Sequence, residues 1–221
     1  MVAALLLLAA GAVLFTHEER SFPRFPERFS VHGLDVSHHN GVIDWPRVAQ
    51  SGVSFVYVKA SEGGDRSDPR FAFNTSAARD AGLKVGAYHF FTFCRAGEEQ
   101  ARHFLSLVKP LPGDLPPAVD VEFVGNCRDA PGREVVRANL EQWLTLVERA
   151  AGRRPVIYST QDAADEFLDG LPHALWLREI PGEPKRSWAL WQFDPSGAVP
   201  GIEGAVDLDV FAGDRAALDA L

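Results

Sequence analysis

Between Val31 and Phe211 the chain swings repeatedly from short β-branched or aromatic runs to stretches with helical spacing, and this alternation limits the fold more than any other feature. Runs at 31–37, 53–59, 85–91, 117–123 and 155–159 read as strands. Between them lie helical signals. Asp44 can cap a short helix through Ala49, and Asp68-Pro69 combines a capping acid with a first-turn proline for a helix that Gly82 stops. Ala101, Phe104, Leu105 and Val108 share one helical face, as do Val136, Leu140, Trp143, Val147 and Ala151 in a helix ending at Gly152. Thr160 can cap a short helix reaching Gly170. The last runs, 174–177, 188–193 and 205–211, have no long helix between them. Strand-helix alternation repeated this often predicts parallel strands closing into a barrel. The short tail makes it a modified TIM-like (β/α) barrel of eight strands, in one domain, with helices short or missing in the C-terminal third.

The run Pro117-Ala118-Val119-Asp120-Val121-Glu122-Phe123 places two carboxylates in an otherwise apolar strand. Alternation points Asp120 and Glu122 to the same face, roughly 6 to 7 Å apart at their Cα atoms. Two readings are open. An Asp-x-Glu can end a strand as a solvated rim. Held together and desolvated, the pair would have its pKa values driven apart, which suits one proton donor and one anion, as glycoside hydrolysis requires. In a parallel barrel the chemistry lies at the carboxyl ends of the strands. Asp35, Glu62, the Asp120/Glu122 pair and Asp207 all fall near predicted strand ends, so the acids converge. Tyr88, Phe90, Tyr158, Trp176 and Trp191 lie in or near the same ends, where they can stack on sugars or fill the core.

A net charge of -8 argues against a nucleic-acid partner. With 221 residues the chain holds one full core and is short for two. Residues 1–16 begin with an uninterrupted apolar run that includes Leu5-Leu6-Leu7-Leu8, and read as a signal peptide or an N-terminal membrane anchor. No Lys or Arg precedes that run and no clear Ala-x-Ala site follows it, so cleavage and retention both stay open. Either way the chain is expected to be exported. Residues 17–30, with Pro23 and Pro26, read as a linker, and the catalytic domain as 31–221.

Six segments occur in an order and spacing similar to the lysozymes of glycoside hydrolase family 25. They are Gly33-Leu34-Asp35-Val36-Ser37, Lys59-Ala60-Ser61-Glu62-Gly63, Gly86-Ala87-Tyr88-His89-Phe90, Asp120-Val121-Glu122, Trp191-Gln192-Phe193 and Val206-Asp207. The resemblance implies an N-acetylmuramidase that cuts the β-1,4 bond from N-acetylmuramic acid to N-acetylglucosamine in peptidoglycan glycan strands. Carried over by position, it implies Glu122 as general acid, Asp120 as its partner, and Asp35 and Asp207 as flanking acids. Lys59 and Glu62 would brace these, while Tyr88, His89, Tyr158, Trp176 and Trp191 would contact substrate. Configuration would be retained, by acetamide participation or by a carboxylate nucleophile.

The chain departs from the family pattern in places. Asp209 stands where Asn is usual and rivals Asp207, Ser61 stands where Thr is common, and Trp176-Leu177-Arg178-Glu179 is more charged than its counterpart. Cys94 and Cys127 each follow a strand of the predicted barrel, on neighbouring strands, and are expected to form a disulfide after export. Free thiols or a metal pair are the other readings. No cofactor or metal is expected, and one of His38 and His39 is read as bordering the groove, where it would bond sugar or Asp35. A monomer is expected. A chitin-directed glycosidase and a non-catalytic peptidoglycan-binding module on the same barrel are the alternatives.

Overall fold

The computed structural model describes residues 24–221. Nine strands form its sheet: β1 (Val31–Val36), β2 (Phe55–Glu62), β3 (Arg66–Ser67), β4 (Lys84–Phe90), β5 (Ala118–Val121), β6 (Val156–Thr160), β7 (Leu175–Arg178), β8 (Leu190–Gly197) and β9 (Val206–Phe211). Eight of them close into a barrel in the order β1-β9-β8-β7-β6-β5-β4-β2, with β1 paired to β2 and the short β3 added antiparallel at the end of β2. Strand neighbours from β1 through β2 and β4 to β8 are parallel. β9 corrects the all-parallel expectation, because it runs antiparallel to both β8 and β1.

The helices are α1 (Trp45–Ala49), α2 (Phe71–Asp80), α3 (Gly97–Leu107), α4 (Arg133–Ala151), α5 (Gln161–Phe167) and α6 (Arg215–Ala220). Neither the β7–β8 nor the β8–β9 connection contains a helix, as the short tail predicts. The Asp44 side chain caps α1 by accepting from the Arg47 N–H. α4 buries Val136, Leu140, Trp143, Leu144 and Val147, each worth about 1.5–3 kcal/mol of burial, and ends at Gly152 in the left-handed region with φ of 66°. α2 starts later than Asp68-Pro69 suggests. The Asp68 carboxylate instead accepts from the Arg70 N–H, the His38 N–H and His38 Nδ1 at 2.8–2.9 Å, so it ties the approach to α2 to the end of β1.

Alternation sorts the core into layers. Outward residues such as Val119, Val121, Ile157 and Leu177 pack under α3, α4 and α5, while Leu34, Val56, Val58 and Val85 join α1 and α2. Inside the barrel, Val31, Phe55, Tyr57, Ala118, Val156, Trp176, Leu190 and Phe211 fill the floor. Gly33 and Gly86 make room there. A Cβ on Gly33 would lie 2.1 Å from the Phe55 ring, and one on Gly86 2.2 Å from the Tyr57 ring.

Of the expected linker and leader, residues 1–23 lie outside the described residues. Residues 24–30 lie against the domain: Phe25 stacks on His32 at 4.1 Å, and Phe29 meets Trp188 and Trp191 edge-on at 5.5 and 6.1 Å. The anticipated disulfide is present, joining the loops after β4 and β5 through Cys94 and Cys127 with Cα atoms 6.2 Å apart.

Candidate active site

At the carboxyl ends of the parallel strands the barrel opens into a cleft of about 340 Å³. Asp35, Lys59, Glu62, Tyr88, Phe90, Asp120, Glu122, Tyr158, Trp176 and Asp207 all line it. Asp207 stands near the start of its strand and reaches this mouth because β9 runs backwards. A larger groove, about 1150 Å³, lies between 42–47 and 196–205 and holds none of these converging acids.

Lys59 and Glu62 share the cleft for a reason that simple alternation misses. The β2–β4 register shifts between Lys59 and Ser61, a bulge that turns Ala60 and Ser61 both outward and returns Glu62 to the inside. Lys59 Nζ then donates to Glu62 Oε2 at 2.9 Å, and Arg66 to Glu62 Oε1 at 2.7 Å. Burial alone would raise the Glu62 pKa, but these two cations outweigh it and hold the carboxyl below its ordinary value. The ammonium also sits 4.9 Å over the Phe90 ring.

The other acids are pushed the opposite way. Burial raises Asp120 well above the usual carboxylate range, the Glu122 charge adds to this, and Lys59 opposes it. Glu122 is half-buried and also raised by burial, with Arg178 pulling it back and Asp207 pushing further. Burial lifts Asp207 to about 6 against the pull of Arg178. Asp35 is raised well above its ordinary value by burial and by Asp207 and Asp209. Burial thus favours the protonated form of each of these four carboxyls, against the opposing cations Lys59 and Arg178. Asp120 Oδ1 and Glu122 Oε2 are buried and accept no hydrogen bond from any described residue.

Gln192 fixes the back of the cleft. Its Nε2 donates to Asp35 Oδ2 at 2.7 Å, while its Oε1 accepts from the Tyr158 hydroxyl at 3.0 Å. Asp209 belongs to the layer below: it is wholly buried and accepts from Trp176 Nε1 at 2.8 Å. Between the two acids of β9, only Asp207 lines the cleft.

Two expected contacts are not there. His89 points outward and is fully buried, bonded to Ser61 and Gln100 and stacked on Trp143, and burial lowers its pKa to about 3. Trp191 also points outward, donating to the Glu179 carbonyl amid Phe29, Trp188 and Phe193. Their strand neighbours carry the signal for this: Tyr88 and Gln192 face in, so His89 and Trp191 cannot. Trp176 and Tyr158 do line the cleft, but as its nearly closed floor, 2% and 7% exposed. Gln192, Arg178, Ser37, His39, Val124 and Gly125 complete the lining, His39 matching the expectation that one of the two histidines borders the groove.

Raised carboxyls gathered at the mouth of a (β/α) barrel, with aromatic rings beneath them, define a glycoside hydrolase. The chain belongs to family 25 of that class, since residues 34–202 match the model for glycosyl hydrolases family 25. It is 36% identical to the uncharacterized protein YegX of Escherichia coli strain K12 over 201 residues, covering 86% of this chain and 72% of that one. Lysozyme M1 of Streptomyces globisporus is 32% identical over 210 residues, 86% of this chain and 71% of that one. The structure of a family 25 glycosyl hydrolase from Bacillus anthracis superposes with a TM-score of 0.84 at 32% identity, covering 90% of this chain and 97% of that chain.

Proposed function

We propose that this chain is an exported N-acetylmuramidase that hydrolyses the β-1,4 bond between N-acetylmuramic acid and N-acetylglucosamine in peptidoglycan, with net retention of configuration. The observation that carries the reading is the shared lining of one cleft by Asp35, Asp120, Glu122 and Asp207, with burial raising all four carboxyls. The lysozyme relative supports the choice of polymer.

Glu122 is the general acid. Burial raises its pKa and so favours the protonated form that donates, while partial exposure leaves it accessible to a glycosidic oxygen. As the bond breaks, its proton goes to the leaving oxygen and positive charge develops on the sugar ring. The clustered carboxylates favour that charge. Asp120, beside Glu122, orients the substrate acetamide, whose carbonyl oxygen attacks the anomeric carbon; direct attack by a carboxylate is the variant that gives the same stereochemistry. Water then enters on the first face, giving up its proton to Glu122. Asp35 and Asp207 flank the charge, and Lys59 braced on Glu62 restrains the pKa of Asp120 and Glu122.

Residues 1–16 act as signal peptide or membrane anchor in this reading, and the working unit is a single chain. The Cys94–Cys127 bridge suits an oxidising compartment. Digestion of purified peptidoglycan, with Glu122→Gln alongside and new reducing ends identified by mass spectrometry, tests the proposal. Ends on muramic acid that vanish in the variant are expected; ends on glucosamine would place the enzyme in a different specificity class.

A further inference from the structure

Arg178 is a cation in an acidic cleft that no acid holds. It ends β7, two residues beyond Trp176 on the same face, in register with Thr160 on β6 and Gln192 on β8. Its side chain lines the cleft with Asp35, Asp120, Glu122 and Asp207. Lys59, the other lining cation, is taken up by Glu62. The Arg178 side chain makes no hydrogen bond and no ion pair within 4.0 Å to any described residue. Arg79 and Arg186, also half-buried, are occupied: Arg79 grips Asp114 through two bonds of 2.9 Å, and Arg186 takes Asp165 and Asp169 at 2.7 and 2.9 Å; Arg70 is half-buried with a free side chain too, but it lies outside the cleft. The Arg178 charge reaches Glu122 and Asp207, yet neither lies within pairing distance. A planar fork of donors, kept half-buried at the wall of a sugar cleft without an internal carboxylate, is suited to bidentate recognition of an anion.

We infer that Arg178 recognises a carboxylate carried by the glycan, so that the enzyme selects acidic strands over neutral hexosamine polymers. A neutral strand closing over this wall would desolvate the guanidinium and leave its donors unmatched, whereas a carboxylate pairs with the fork. The inference rests on the muramidase reading for the identity of the polymer. There the carboxylate is the lactyl group of muramic acid, free where the stem peptide has been removed, or a carboxyl of the stem peptide itself.

The test uses the full chain, Arg178→Gln and Arg178→Lys on three substrates: peptide-bearing strands, strands stripped of peptide, and stripped strands whose carboxyls are capped as methylamides. Arg178→Gln is expected to raise KM on stripped strands at least about tenfold relative to capped strands, equivalent to about 1.4 kcal/mol, while any change in kcat from losing its charge near Glu122 and Asp207 is common to all three substrates. On capped strands KM should be alike for both proteins, and Arg178→Lys should recover part of the KM loss on stripped strands. A loss confined to peptide-bearing strands keeps carboxylate recognition and assigns its source to the stem peptide. Equal KM losses on all three substrates, or none, overturn the inference, because Arg178 then acts only through Glu122 and Asp207 or not at all. Calorimetric binding separates the two proposals. Acidic strands that bind through Arg178 but stay uncut sink the muramidase reading and sustain the inference; acidic strands that do not bind sink both.

Discussion

Asp35 on β1 and Asp207 on β9 are register partners across the strand pair that closes the barrel. Like charges directly opposite on one face of an antiparallel pair destabilise it unless a proton sits between them. Asp207 adds to the raising of Asp35, and the two acids occupy the closure of the fold as well as the wall of the cleft.

Asp207→Asn should therefore stabilise the protein at neutral pH while impairing catalysis. The folded chain holds a proton on Asp207 up to about pH 6, whereas the unfolded chain releases it near 3.8. The folded state binds more protons in that window, so stability falls as pH rises from about 4 through 6. Asn removes this loss. A gain of about 2 kcal/mol at pH 7.5, largely absent at pH 4, is expected in urea unfolding after allowance for partial exposure. A gain independent of pH would show that the carboxyl charge is not its source.

Activity should follow the proton on Glu122. Because its pKa is raised, kcat/KM should fall on the alkaline side only above the range of an ordinary glutamate. Lys59→Met withdraws the charge that restrains Asp120 and Glu122, so this limb should move to higher pH. Glu122→Gln should lower kcat by about 10²- to 10⁴-fold. An alkaline limb that stays put in Lys59→Met would remove Lys59 from the acid's control.

Gly86→Ala should cost about 1–3 kcal/mol, since the added methyl meets the Tyr57 ring inside the closed barrel. Gly132→Ala, where nothing lies within 4 Å, is the comparison and should change stability little. Equal melting shifts for the two would mean that the floor yields to the extra methyl.

The disulfide closes a 33-residue separation. Replacing both cysteines by serine should lower stability by about 3 to 4 kcal/mol through freedom regained by the unfolded chain. Thermal unfolding of oxidised and doubly substituted protein measures this, and equal midpoints would refute it.

The strands and the long helices were legible because their burial follows simple periods, as at Val136, Leu140, Trp143 and Val147. The converging acids were legible because most of them stand at strand ends. Alternation says nothing of strand direction, so the reversal of β9 that brings Asp207 to this mouth leaves no mark in the sequence. Alternation does separate chain neighbours: Tyr88 and His89 cannot both face the cleft, nor can Trp191 and Gln192. The bulge that carries Glu62 inward leaves no mark in Lys59-Ala60-Ser61-Glu62, because it depends on pairing with Tyr88 and His89. Asp68 resembles a helix cap by its neighbour Pro69 alone, whereas His38, thirty residues away, decides its partner.

The reversal of β9 has an architectural outcome. The chain climbs out of the barrel on β8, turns through 198–205 and descends again, so the last connection forms a parapet on the side of the opening where Asp207 stands. Residues inserted there would lengthen one bank of the cleft and leave every carboxylate in place, so the reach of the enzyme along a polymer and the chemistry at its centre can vary independently.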